Sequence, residues 1–334
     1  MTSRITHPSL QVLLGDWQRD EAFHRAITTP VSLVPAPTLR DDDVVPLLAD
    51  ADAFITKRFT AAMGAAAKRL RLIHAPGAGT NEIELAAVPD GAVVCNVYGH
   101  GAGIAEYVLM AILALNSDLL NMDARLRHGD WSDRTERGAR HEIRGRTLAV
   151  IGLGRIGVEV ARLATAFGVR VIAATRTPSA DRDKRLGLAS IFGMDQLHAV
   201  LAEADFVVVA VPLDASTAGL IGSRELNAMK PSAYLVNVAR GQIIDDGALY
   251  QALKERTIAG AALDVWYRYP EANERVYPSK HPFHELDNVI MTPHIAGVTE
   301  ETFKHRWAVI DDNLRRLAAG EPLLNVVYPS SGTA

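Results

Sequence analysis

A chain of 334 residues is long enough for two domains of ordinary size, each with its own core, and excludes a single small module. Its formal charge of −4, with no long Lys/Arg block, leaves no electrostatic footprint for nucleic acid or an anionic membrane, so a small-molecule partner is expected. No uncharged apolar run of about 18 residues occurs, residues 1–10 lack the apolar centre of a signal peptide, and Cys95 alone can form neither an intrachain disulfide nor a metal site; a reducing cytoplasm is the expected location.

In chain order, residues 11–14, 53–55, 72–74 and 93–97 read as short strands of a first α/β unit, with Cys95 a buried small hydrophobe in the last. Glycines at 99–103 punctuate the chain, and residues 104–128 read as one long apolar helix able to lead from one lobe to another. A second series of strands follows a loop, at 148–151, 169–173, 206–211, 234–238, 259–263 and 289–291, and a last helix is expected at 300–319. Strands alternating with helical stretches predict a doubly wound parallel sheet of the Rossmann type, here of six strands. The rest of the chain is then economically placed in a second, smaller α/β domain that is discontinuous: residues 1–98 plus 298–334 for substrate, residues 99–297 for a dinucleotide, with ligand in a cleft between the lobes.

The run Gly152-Leu153-Gly154-Arg155-Ile156-Gly157 follows an expected strand and precedes an expected helix at 158–167, the context that makes G-x-G-x-x-G a dinucleotide turn. Its glycines allow a tight turn and close backbone approach, while the helix N-terminus aims N–H groups at a pyrophosphate. An acidic residue about 20 positions further on would hold the adenosine ribose of NAD. Thr175 occupies that strand tip instead, with Arg176 beside it, and a guanidinium can chelate a 2′-phosphate that a carboxylate would repel. NADP(H) is therefore the expected cofactor, with NAD possible.

Three clusters at strand ends carry the chemistry. Arg240, in Val238-Ala239-Arg240-Gly241, suits a carboxylate or carbonyl; Asp264 follows the next strand; His294, in Thr292-Pro293-His294-Ile295-Ala296-Gly297, suits proton transfer near neutral pH. With Val211-Pro212-Leu213 and Thr217, these segments resemble the D-isomer-specific 2-hydroxyacid dehydrogenases, in particular their glyoxylate and hydroxypyruvate reductases. The resemblance runs from about residue 72 to 325 and implies hydride transfer between a nicotinamide and C2 of a 2-oxo or 2-hydroxy acid of D configuration. It implies that Arg240 binds and polarises the substrate, His294 moves the hydroxyl proton, and Ala78 and Gly79 of a glycine loop hold the substrate carboxylate with His100 nearby. It also implies a flavodoxin-like fold for the smaller domain, a homodimer built partly on the helix from residue 104, and a cofactor site. That site takes in Gly152, Gly154, Arg155, Ile156, Gly157, Thr175, Arg176, Val211, Pro212, Thr217, Val238, Ala239, Asp264, His294, Ala296 and Gly297.

One position departs from the family pattern. The slot five residues past Asp264, where a Glu before a Pro pairs with the catalytic His, holds Tyr269; a longer stretch than usual separates Asp264 from His294, and Glu271 is an alternative partner from a shifted register. A carboxylate would raise the imidazole pKa, whereas a hydroxyl orients the ring without adding charge. An imidazole at its ordinary value near 6.5 carries a proton in only about a quarter of molecules at pH 7, so keto-acid reduction is expected to favour mild acid. The same departure admits formate- or phosphite-type oxidation on this scaffold, or a non-catalytic dinucleotide sensor, against which the retained Arg240 and His294 argue. Tyr98, His100, Trp266 and Tyr267 are candidates to line a pocket or pack a hinge. No metal is expected, since His281 and His284 lack companions in ligand spacing.

Overall fold

The computed structural model describes residues 9–15, 20–131, 140–179, 185–270 and 275–329. The chain opens with β1 (Leu10–Leu14), α1 (Glu21–Ala26), β2 (Val31–Pro35), α2 (Asp41–Leu48), β3 (Ala53–Ile55), α3 (Ala61–Ala66), β4 (Leu72–His74) and β5 (Val93–Cys95). It continues through α4 (Gly101–Ser117), α5 (Leu119–Arg127), β6 (Thr147–Ile151), α6 (Arg155–Ala166), β7 (Arg170–Thr175), β8 (Ser190–Gly193), α7 (Leu197–Glu203) and β9 (Phe206–Val209). Then come α8 (Ser223–Ala228), β10 (Tyr234–Asn237), α9 (Asp246–Lys254), β11 (Gly260–Leu263), β12 (Val289–Met291), α10 (Glu300–Ala319) and β13 (Val326–Tyr328).

These elements form two compact units, Met1–Gly99 with Thr299–Ala334, and His100–Val298. In the first, six strands run in the order β13-β5-β4-β3-β1-β2, all parallel except β13, which lies antiparallel on β5. Its two faces are packed separately: Leu13 belongs to one core, its neighbours Val12 and Leu14 to the other. The second unit holds a seven-stranded parallel sheet, β12-β11-β10-β9-β6-β7-β8. β6 reads TLAVI and is buried throughout, with Ala149 and Ile151 feeding one core and Leu148 and Val150 the other, as a strand covered on both faces requires. Strand order reverses between β6 and β9, and a crevice at such a reversal is where ligands bind open α/β sheets.

Four sequence expectations need correction. The helix expected over 104–128 is two helices, because Asp118 takes a left-handed conformation (φ 52°) and ends α4. The dinucleotide sheet has seven strands, not six, with β8 added at its edge. α6 begins at Arg155, inside the glycine run, not at Val158. The smaller sheet gains β2 and β13. Cys95 is fully buried, and burial pushes its thiol up to about 12, as suits a packing residue. Among the described residues no single helix is long and apolar enough to cross a membrane, and no cluster of metal-ligating side chains forms. His281 and His284 instead stack on Tyr250 and Tyr277.

Candidate active site

The glycine turn sits directly after β6, at the reversal of strand order. Gly152 has φ +97°, and a Cβ there would strike Val211 at 2.7–2.8 Å, so the turn closes against the end of β9. Gly157 faces the strand; its Cβ would meet the Gly152 carbonyl oxygen at 2.1 Å, which brings α6 hard against β6. Between them Gly154, the N-cap of α6, has open space where a side chain would stand. Tight turn, open backbone and close packing are the three demands a pyrophosphate makes of this motif, so the residues present fit a dinucleotide, with the amides of Arg155 and Ile156 at the helix start. Opposite, Thr217 closes the Val211-Pro212-Leu213 loop by donating to the Pro212 carbonyl oxygen (2.6 Å) and accepting from the Asp214 N–H (2.8 Å).

Thr175 is the last residue of β7, and Arg176 follows it into solvent. The Arg176 guanidinium lies 3.4 Å from the Asp214 carboxylate, an exposed and loosely held pair. Asp214 itself accepts from the Ser216 N–H and hydroxyl.

The reactive groups gather at the carboxyl ends of β10, β11 and β12. After β10, Asn237 braces a turn: its Oδ1 accepts from Ala239 N–H and its Nδ2 donates to the Arg240 carbonyl oxygen. Val238 and Ala239 are buried within this turn, and Arg240 is half-buried, with Nη1 donating to the Ala239 carbonyl oxygen at 2.7 Å. Gly241 lies so close to the Trp266 backbone that a Cβ would meet its carbonyl oxygen at 2.4 Å. After β11, Asp264 is buried, and both its oxygens serve the loop after β12: Oδ1 accepts from the Thr292 hydroxyl (2.7 Å) and Ile295 N–H (2.8 Å), Oδ2 from Ala296 N–H (2.9 Å). Oδ2 retains capacity for one more donor, as an amide of a nicotinamide would need.

His294 crowns that loop, exposed and at φ +59°, a conformation that costs a non-glycine residue roughly 1 kcal/mol or more and that the carboxylate on either flank offsets. Gly297 lies against the start of α4, where a Cβ would come 3.4 Å from both His100 and Ile104. The Tyr269 hydroxyl stands 3.1 Å from His294 Nδ1 and accepts from Trp266 N–H at 3.2 Å. A hydroxyl already accepting from an amide keeps its own hydrogen to give, so it can donate to Nδ1 of a neutral ring, the tautomer that leaves the ring's hydrogen on Nε2. Burial raises the Tyr269 phenol above its ordinary range, the Trp266 hydrogen bond and the Arg240 charge opposing the shift and the Asp264 charge reinforcing it; the group therefore stays neutral. Glu271, the alternative partner, lies outside the described residues.

In the first unit, the loop after β4 holds Gly77, Ala78 and Gly79. It is tied to the end of β5 by Asn96 Nδ2, which donates to the Ala78 carbonyl oxygen (2.8 Å), and by Val97 N–H, which donates to that of Gly77 (3.2 Å).

Three supports were not apparent from sequence. Tyr107 on α4 lies 2.7 Å from the Thr292 hydroxyl; because Thr292 spends its one hydrogen on Asp264, Tyr107 must be the donor. Burial pushes the Tyr107 phenol up to about 12, so that donor persists at all ordinary pH. Trp266, buried, donates Nε1–H to the Thr292 carbonyl oxygen (2.8 Å). Tyr267 is pinned to the Pro278 carbonyl oxygen by its backbone.

The family model described as "D-isomer specific 2-hydroxyacid dehydrogenase, NAD binding domain" matches residues 109–296. The chain is 35% identical over 333 residues to a glyoxylate reductase of Aeropyrum pernix, covering 97% of this chain and 94% of that protein. It is 35% identical over 264 residues, 78% of this chain, to a D-3-phosphoglycerate dehydrogenase of Archaeoglobus fulgidus, but spans only 48% of that protein's length. The holo form of D-mandelate dehydrogenase from Rhodotorula graminis superposes with a TM-score of 0.82 at 29% identity, over 96% of this chain and 98% of that one.

Proposed function

The chain belongs to the D-isomer specific 2-hydroxyacid dehydrogenase family, and we propose that it reduces a small 2-oxo acid to the D-2-hydroxy acid, or runs the reverse, with a nicotinamide dinucleotide. The observation that carries this reading is the contact of Tyr269, itself held by Trp266 and in the field of Arg240, with a strained and exposed His294. When bound, the reduced nicotinamide supplies the hydride to C2. Arg240 holds the substrate carboxylate and polarises the carbonyl through its paired N–H groups. His294 delivers the proton from Nε2 to the carbonyl oxygen, and Tyr269 keeps the ring oriented from the other side. Asp264 acts on the reaction through the turn it anchors, and its spare acceptor site would take the amide of a bound nicotinamide. In the first unit, the backbone of Ala78 and Gly79 takes the substrate carboxylate, with His100 of the second unit as a further substrate contact; the first unit is then the substrate domain and the second the dinucleotide domain.

NADPH is the preferred reductant in this reading, because Thr175 ends β7 without a carboxylate and the loosely paired Arg176 is available to a 2′-phosphate. A charged hydrogen bond of roughly 1.5–3 kcal/mol gives a preference of about 10- to 100-fold. The protein works as a homodimer in a reducing cytoplasm: Met110, Leu113, Leu119, Leu120, Met122 and Leu126 expose apolar side chains along α4 and α5, a face suited to a second copy of the chain. Glyoxylate, hydroxypyruvate and phenylpyruvate assayed with both reduced cofactors test the proposal. Turnover of at least one, faster with NADPH and losing that preference in Arg176→Ala, is expected; no oxidation of either cofactor with any 2-oxo acid contradicts it.

A further inference from the structure

We infer that Arg306 is a second anion-binding residue, selecting 2-oxo acids that carry a distal carboxylate or phosphate beyond C2. The inference rests on the 2-oxo acid reading above and names the substrate class within it.

Two contacts fix how α10 lies on β4. Arg71, just before the strand, donates to the Leu317 carbonyl oxygen (2.8 Å), and His74, its last residue, meets Asn313 at 2.9 Å. The strand number rises as the helix number falls, so the two run antiparallel and earlier residues of α10 continue past the carboxyl end of the strand. Gly99 supplies a third point: a Cβ there would strike the His305 ring, which sets this turn of helix beside the chain leaving β5. Arg306 stands seven residues before Asn313, about 10 Å along the axis. It shares the helix stripe of buried Thr302, Ile310 and Asn313, so it faces inward rather than to solvent. The Gly77-Ala78-Gly79 loop, tied to the ends of β4 and β5, occupies the same edge of the same sheet.

Arg306 is chemically unfinished there. Its Nε is sealed from solvent without an acceptor, and among the described residues its guanidinium makes no hydrogen bond or ion pair, only a contact 6.0 Å from the Phe303 ring. The partly shielded Arg58 and Arg146 each hold an aspartate. Removing a guanidinium from water without a counter-charge is unfavourable, and burial pulls its pKa below the ordinary range; a bound anion relieves both. The planar fork of donors suits a carboxylate or phosphate. One unit thus presents two anion sites on one sheet edge, backbone amides for the C1 carboxylate and Arg306 for a distal charge.

The test compares kcat/KM for pairs matched in chain length, 2-oxoglutarate against 2-oxovalerate and phosphohydroxypyruvate against hydroxypyruvate. The wild type is expected to favour the anionic member at least tenfold in one pair, which identifies carboxylate or phosphate as the distal group. Arg306→Met is expected to abolish that advantage while changing 2-oxovalerate and glyoxylate turnover less than threefold. Arg306→Gln reads the same ratio should the Met variant not fold. Wild-type ratios near one in both pairs, or an advantage that survives either variant, overturn the inference. A flat ratio with glyoxylate still reduced sinks this inference alone; a wild type that reduces no 2-oxo acid sinks the reading beneath it as well.

Discussion

Two histidines stand at the carboxyl edges of the two sheets, and their surroundings set them to opposite tasks. His74, the last residue of β4, is fully buried; its Nδ1–H donates to the Ala75 carbonyl oxygen (3.1 Å) and its Nε2 accepts from Asn313 (2.9 Å). Burial drags it down to about 4, so the ring is a neutral peg between β4 and α10. Asn313 extends the peg by clasping Leu324 with both its amide groups, which seats the segment leading to β13. His294 also follows a strand, yet it stands exposed on a left-handed residue with Nδ1 against a phenol. Residue type and place in the topology are shared. Access to water separates a ring that burial keeps neutral from one free to exchange a proton, the role proposed for His294.

Exchange of the two roles is the sharpest way to break this comparison. His294→Asn is expected to lower kcat/KM for 2-oxo acid reduction by about 10²- to 10⁴-fold with little change in Tm, while His74→Asn lowers Tm and leaves kcat within a few-fold. Loss of activity in the His74 variant at temperatures where it stays folded would erase the distinction. A second effect, smaller, is in stability. Between the ordinary imidazole value near 6.5 and about 4, the unfolded chain binds a proton at His74 that the folded chain refuses. Stability from this group is therefore complete above 6.5 and is lost on acidification through that window, roughly 2 kcal/mol of it by pH 5. Urea unfolding at pH 7.5 and pH 5 measures it, and a slope equally steep in the His74 variant would refute the assignment. The smallest effect concerns the support behind His294. Tyr107→Phe removes one hydrogen bond of about 1 kcal/mol from Thr292, so kcat should fall three- to tenfold with KM unchanged; a raised KM at constant kcat would instead make Tyr107 a binding residue.

Legibility followed the range of the interactions involved. β6, β9, β10 and β11 were readable because strands buried on both faces are continuous apolar runs, and the glycine turn because its chemistry lies within six residues. β8, SIFG, is not legible in this way: as an edge strand it is only half-buried and lacks that signature. β13 is three residues long and pairs antiparallel with a strand more than 200 positions earlier, a placement nothing local announces. The break at Asp118 did leave a trace, since aspartate tolerates the left-handed region, but the apolar period on either side outweighed it. Arg240, Asp264, Tyr269 and His294 could be named in advance because each sits in a local motif. The Tyr107–Thr292 bond joins residues 185 positions apart, and Arg306 owes its interest to what does not surround it.

A neutral phenol, not a carboxylate, sits behind His294, the proposed proton donor, and the pH dependence of 2-oxo acid reduction measures what that does. Tyr269→Glu should place a negative charge behind the imidazole and favour its protonated form. Wild-type kcat/KM is expected to fall as pH rises through neutrality, and Tyr269→Glu to carry the descending limb upward by about one pH unit or more. A wild-type profile flat to pH 9, or a limb that the substitution does not move, would contradict it.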